Sequence, residues 1–193
     1  NRYSVATGNW NAISTWSATS GGAPGASVPA AADTVFVEGG YNVTVNANTA
    51  NLTALTIGAG STLTVSANFT VTATTLTING TYQRNSTGAI TVTTMTVNNG
   101  GVYVHNINGG TIPTATWNAN STLQITGVTG TAPTGSGQSF GNVTWNCTGQ
   151  TGNINFTPTS IQGNFTVSAT NTGQLRVQTT PLTIGGNYTQ SGT

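Results

Sequence analysis

Short triplets of the form apolar-Thr-apolar run through this chain and return on a beat of about 20 residues. Leu55-Thr56-Ile57, Leu76-Thr77-Ile78 and Met95-Thr96-Val97 stand 21 and 19 residues apart. A second series, Leu63, Tyr82 and Val102, steps by 19 and 20, and Phe69 to Ile90 is a step of 21. After an irregular stretch the beat resumes: Val143 to Phe165 is 22, Ile154 to Leu175 is 21, Ile161 to Leu182 is 21 and Phe165 to Tyr188 is 23. Alternation of period two marks strands with one apolar and one polar face, and helical spacing is nowhere sustained. A fixed repeat that holds several short strands is the signature of a solenoid. A β-sandwich also shows many short strands, but nothing in it requires interleaved series that share one period. The reading is therefore all-β: a right-handed parallel β-solenoid with coils of about 20–23 residues and an irregular N-terminal cap.

Stacked coils explain a composition that is otherwise odd. An ordinary domain is about 25% charged, whereas this one is 3% charged, with Arg2, Arg84, Arg176, Asp33 and Glu38 as its charged side chains. A charge repeated on every coil would sit about 4.8 Å from its copy and repel it. Thr and Asn instead pair with their copies across neighbouring strands, and the chain has 42 Thr and 23 Asn. Asn79-Gly80, Asn99-Gly100 and Asn108-Gly109 read as corners where glycine supplies a positive φ. Three segments interrupt the triplets, 17–32, 105–114 and 127–141, and are read as loops leaving the coil. The expected organisation is one domain, 1–193, with a cap region at 1–35, regular coils at 36–126, a loop at 127–141 and regular coils at 142–193.

The same composition narrows function. A net charge of +1 offers no field to nucleic acid or to an anionic membrane surface. No apolar stretch reaches the 18 residues of a membrane-spanning helix. Asp33 and Glu38, five apart on one strand, fall on opposite faces about 16 Å apart, whereas paired glycosidase carboxylates need about 5–9.5 Å. His105 and Cys147 could in principle meet as base and nucleophile, but a loop histidine and a packed cysteine are the favoured readings. Metal ligands do not cluster, and no cofactor-binding fingerprint appears. The expectation is a protein that is not an enzyme and carries no cofactor or metal. The chain begins at Asn1 with neither Met nor an apolar leader, which suggests a processed or excised chain and fits export.

Gly8-Asn9-Trp10, Thr15-Trp16, Val28-Pro29 and Asp33-Thr34-Val35, together with Phe140-Gly141-Asn142-Val143, Gly163-Asn164-Phe165 and Leu182-Thr183-Ile184-Gly185-Gly186-Asn187-Tyr188, resemble recurring phrases of secreted parallel β-helix repeat proteins of the Bacteroidota type. The resemblance covers most of the chain. It implies an extracellular or cell-surface protein, often one exported by the type IX route, although the sorting domain expected at the C-terminus of such proteins is missing. It also implies that Thr34, in an acidic-threonine-aliphatic setting, is a candidate O-glycosylation site.

A solenoid end exposes apolar cross-section and unpaired strand edges, so isolated examples carry caps. Residues 1–35 are irregular and aromatic enough to form one, whereas Leu182, Ile184 and Tyr188 belong to a regular coil close to the last residue, Thr193. The expected function is an extracellular structural subunit that polymerises head-to-tail with itself. Its candidate interface is Tyr3, Trp10 and Trp16 at one pole and Leu182, Ile184 and Tyr188 at the other. The alternative is an adhesin stalk or glycan-binding solenoid, with Tyr82, Tyr103 and Trp117 on a wall that meets surface glycans. Ice binding by regular Thr rows is a weaker reading of the same pattern. Trp117 and Trp145 share parity with apolar neighbours, so core packing is favoured for both over sugar stacking.

Overall fold

The computed structural model describes residues 1–178 and 181–191. The chain is all-β and forms a parallel β-solenoid of about 8 turns. It divides into two compact units, Asn1–Thr96 and Val97–Thr193.

The first unit contains β1 (Arg2–Ser4), β2 (Gly8–Asn9), a 3-10 turn at Ile13–Thr15, β3 (Trp16–Ser17), β4 (Thr34–Val37), β5 (Asn42–Val45), β6 (Leu52–Ile57), β7 (Thr62–Val65), β8 (Val71–Ile78), β9 (Thr81–Arg84) and β10 (Ile90–Val97). One wall has the strand order β10-β8-β6-β4-β1-β3 and the other β2-β5-β7-β9. Leu55 lies opposite Leu76 and Ile57 opposite Ile78, and all four are buried. Between them Thr56 faces Thr77 on the outside. In the second wall Val43, Leu63 and Tyr82 form one inward column. These are the leucine and threonine series of the sequence, in the register the beat requires. Phe69 is the exception: it precedes β8, and Val71, whose N–H donates to the Ala89 carbonyl, occupies the strand position instead.

The second unit contains β11 (Val102–His105), β12 (Thr116–Trp117), β13 (Thr122–Ile125), β14 (Ser139–Phe140), β15 (Asn142–Asn146), β16 (Ile154–Phe156), β17 (Ser160–Ile161), β18 (Phe165–Ala169), β19 (Leu175–Val177), β20 (Thr183–Ile184) and β21 (Tyr188–Gln190). All of these except β12 line three walls, β11-β13-β15-β18-β21, β14-β17-β20 and β16-β19. Ile154 pairs with Leu175 and Phe165 with Tyr188, as the spacing predicts. Two positions differ from it. The buried member at the start is Tyr103, opposite Leu123, while Val102 sits opposite Thr122 on the outer side. Ile161 pairs with Ile184 and not with Leu182.

Segment 127–141 is irregular but does not leave the stack. The Thr129 N–H donates to Asn108 Oδ1, and the Thr129 carbonyl accepts from Thr151 in the next coil. The Thr134 N–H donates to Gly110, its carbonyl accepts from Ile112, and Val128 and Phe140 are fully buried. The loop expected there is a third wall without alternating sequence. Segment 105–114, also expected to leave the coil, supplies its lower neighbour.

Between coils the polar side chains act as rungs. Asn142 Oδ1 accepts from the Asn164 N–H at 2.8 Å, and Asn164 Oδ1 from the Asn187 N–H at 2.9 Å. Ser139 meets Ser160 at 2.6 Å, and Thr111 meets Thr134 at 2.8 Å. Each rung satisfies groups that charged side chains would leave repelling one another. Gly100 and Gly109 have the positive φ their corners require, 81° and 68°. Gly80 is glycine for another reason: a Cβ there would lie 2.2 Å from the Gly58 carbonyl oxygen of the neighbouring coil.

Candidate functional site

The two ends of the chain are built differently. At the first coil, β3 runs antiparallel along the outer edge of β1, with Tyr3 opposite Ser17 and Ser4 opposite Trp16. Trp16 Nε1 donates to the Trp10 carbonyl at 2.7 Å, and the two indoles pack edge-on with centroids 5.0 Å apart. The Thr15 hydroxyl donates to the Asn9 carbonyl. Segment 17–32 is tied back by Arg2 Nε to the Ser27 carbonyl at 2.7 Å and by the Ala26 N–H to the Trp16 carbonyl at 3.1 Å. Trp10 and Trp16 retain 3% and 0% of their surface, so they form the underside of the cap and present nothing to a partner. Tyr3 is half-buried and stacks on Phe36 at 4.9 Å. The residue that projects from this cap is Ile13, 60% exposed.

The last coil has no such cover among the described residues. Each of β19, β20 and β21 has a neighbour on one side only. One inward column shows the effect: Val143 and Phe165 are each 1% exposed, and Tyr188, stacked on Phe165 with centroids 5.5 Å apart, is 55% exposed. In the parallel column Phe156 is fully buried while its partner Val177 is 37% exposed. Leu175, Leu182 and Ile184 are half-buried. A cavity of about 320 Å³ opens here between Phe165, Val167, Leu175, Val177 and Tyr188.

The remaining chemical candidates are held elsewhere. Asp33 accepts the Ala30 N–H and pairs with the N-terminal ammonium and Arg2. The Glu38 carboxylate accepts the Ser20 hydroxyl. His105 Nε2 bonds the Gly109 carbonyl at 2.8 Å. His105, Ile125 and Trp145 form successive members of one column, so β13 lies between the strand that bears His105 and the strand that precedes Cys147. The Cys147 thiol donates to the Ile125 carbonyl. Burial pushes it up to about 11, against the opposing influence of backbone hydrogen bonds from Val128 and Asn146. Among the described residues, no three or more His, Cys, Asp or Glu side chains group as metal ligands, and no helix is long and apolar enough to cross a membrane.

Tyr82, Tyr103 and Trp117, proposed from sequence as a glycan-facing wall, are 0%, 0% and 4% exposed. Trp145 is fully buried, with its indole N–H on Gln150 Oε1. Thr34 is half-buried at the start of β4, opposite Ala54. Arg84 enters the sequence only as one of its few charged side chains. It lies in an inward column opposite Val65, is 6% exposed, and donates to the carbonyls of Ser86, Thr87 and Gly88. Its parity with Tyr82 was the available signal. Compared with protein-family models, curated proteins and solved structures, the chain matches none.

Proposed function

We propose that this chain is an extracellular structural protein that associates with itself end to end, and that its work is contact and not catalysis. The supporting observation is where apolar surface is left in water. Among the described residues, the large hydrophobic side chains that are exposed are Ile13, Val177 and Tyr188, the first on the cap and the other two on the last described coil. Soluble surfaces carry scattered apolar residues without meaning, but confinement to terminal elements is what an end-to-end contact would need. Fully burying a side chain of this size is worth about 1.5–3 kcal/mol, before the costs of association.

The contact would seat the edges of β19, β20 and β21, with Val177, Leu182, Ile184 and Tyr188, against the Ile13 side of another copy's cap. Tyr3 lies beside that pole, while Trp10 and Trp16 support it from within. A heterologous contact of this kind that does not close on itself produces a filament. The resemblance to secreted β-helical repeat proteins of the Bacteroidota type supports the extracellular placement, as does a surface of neutral Thr and Asn. With so little charge to screen, assembly should change little with salt.

Negative-stain electron microscopy of the concentrated chain tests the proposal. Filaments are expected, and the double variant Val177→Asp, Tyr188→Asp should leave single particles that melt like the wild type. Uniform single particles of the wild type, or filaments that survive the double variant, would count against it.

A further inference from the structure

Independently of end-to-end assembly, the first unit contains a second feature that none of the above uses. A cleft of about 430 Å³ opens between the strand ends of β1 and β4 and the first turn of segment 17–32. Its lining includes Ser4, Ser20, Gly21, Glu38, Gly39 and Tyr41. The volume falls within the range of small-molecule pockets, about 300–1,000 Å³.

The cleft is built, not incidental. The Ser4 hydroxyl donates to the Glu38 carbonyl at 2.9 Å and accepts the Glu38 N–H at 2.7 Å, which clamps the backbone under the carboxylate. The Tyr41 N–H reaches back to the same Glu38 carbonyl at 3.4 Å. The Tyr41 ring lies over Gly39, where an added Cβ would come within 2.7 Å of a ring carbon and where φ is +71°. Glycine at 39 is therefore required twice, by backbone conformation and by the ring.

The electrostatics single out Glu38. The chain has two acidic residues, and Asp33 takes both ion pairs found among the described residues. Glu38 has the Ser20 hydroxyl on one oxygen and, among the described residues, no cationic partner. A carboxylate accepts several hydrogen bonds at once, and those to ionised groups are about twice as strong as neutral ones. A tyrosine ring offers an apolar face and a polar tip. The rest of the lining is Val5, hydroxyl groups and glycine backbone, and one carboxylate supplies too few ligands to hold a metal ion. We propose that this cleft binds a neutral saccharide, with two adjacent sugar hydroxyls donating to Glu38 and the sugar ring lying on Tyr41.

An array of neutral and acidic oligosaccharides and simple alkylamines, probed with the labelled full chain, tests the site. At least one neutral oligosaccharide should be retained. Glu38→Gln should weaken its binding tenfold or more and Tyr41→Ala should abolish it, whereas Tyr188→Asp at the other end should leave it unchanged. Circular dichroism melts of Glu38→Gln matching the wild type would show that binding, not folding, was lost. Retention of no neutral sugar, retention unaffected by both cleft variants, or retention of amines alone would overturn the proposal.

Discussion

The first coil and the last are made of the same kinds of side chain and differ in what lies outside them. Outside β1 runs β3, with Trp10 and Trp16 at 3% and 0% exposure beneath an irregular cover. On the outer side of β21 no described strand pairs, and Tyr188 keeps 55% of its surface although Phe165, one coil earlier in the same column, keeps 1%. Burial in this protein is thus a property of having a neighbouring coil rather than of residue type, as expected where each repeat contacts only the ones beside it. The sealed end spends two tryptophans on closure. The other end presents a register that a further surface could meet.

The largest effects should come from breaking the sealed end and the deep column. Trp16→Ala removes the indole that spans the cap, and Phe165→Ala opens the column under Tyr188. Each should cost about 3–5 kcal/mol, read as a lower urea midpoint. Arg84→Ala leaves the carbonyls of Ser86, Thr87 and Gly88 without their shared donor and should cost on the order of 3 kcal/mol. Arg84→Lys, which lacks the planar fork, should recover only part of it.

A smaller effect is set by pH. The Cys147 thiol is raised from 9.0 to about 11 in the folded chain, so the unfolded chain releases its proton first. The thiol's contribution is fully present below pH 9 and is lost as pH rises from about 9 to about 11, on the order of 2 kcal/mol in all. Urea titrations across that range should show the decline, and Cys147→Ala should flatten it. The smallest effect belongs to the bare end. Tyr188→Ala in dilute solution should change stability by less than about 0.5 kcal/mol, against several for Phe165→Ala in the same column. A large loss from Tyr188→Ala would mean that the last coil is packed more like the first.

Much of this contrast was legible in the sequence because the strands announce themselves by alternation. Leu55/Leu76, Leu63/Tyr82, Ile154/Leu175 and Phe165/Tyr188 all pair as the spacing implies. The register slipped where alternation is locally ambiguous. Val102-Tyr103-Val104 offers three apolar residues in a row, so the sequence does not say which one points inward. Leu182 and Ile184 share parity, so either could oppose Ile161. Segment 127–141 looks like an excursion in the sequence because coils held by Asn108, Gly110 and Gln138 hydrogen bonds need no apolar period. Trp10 and Trp16, expected at an outer pole, are buried instead, since aromatic content alone does not tell a cover's inner face from its outer one. The Glu38 and Tyr41 cleft carried no sequence signal, because it depends on a glycine at 39 and a serine 34 residues away.

Hydrogen exchange of the chain in dilute and in concentrated solution tests the central claim most directly, followed by mass spectrometry of peptides from β1 to β3 and from β19 to β21. Amides of β1 and β3 should be protected in both, and those of β20 and β21 should exchange quickly when dilute and slow markedly when concentrated. Equal exchange of β20 and β21 at both concentrations, whether fast or slow, would contradict the account.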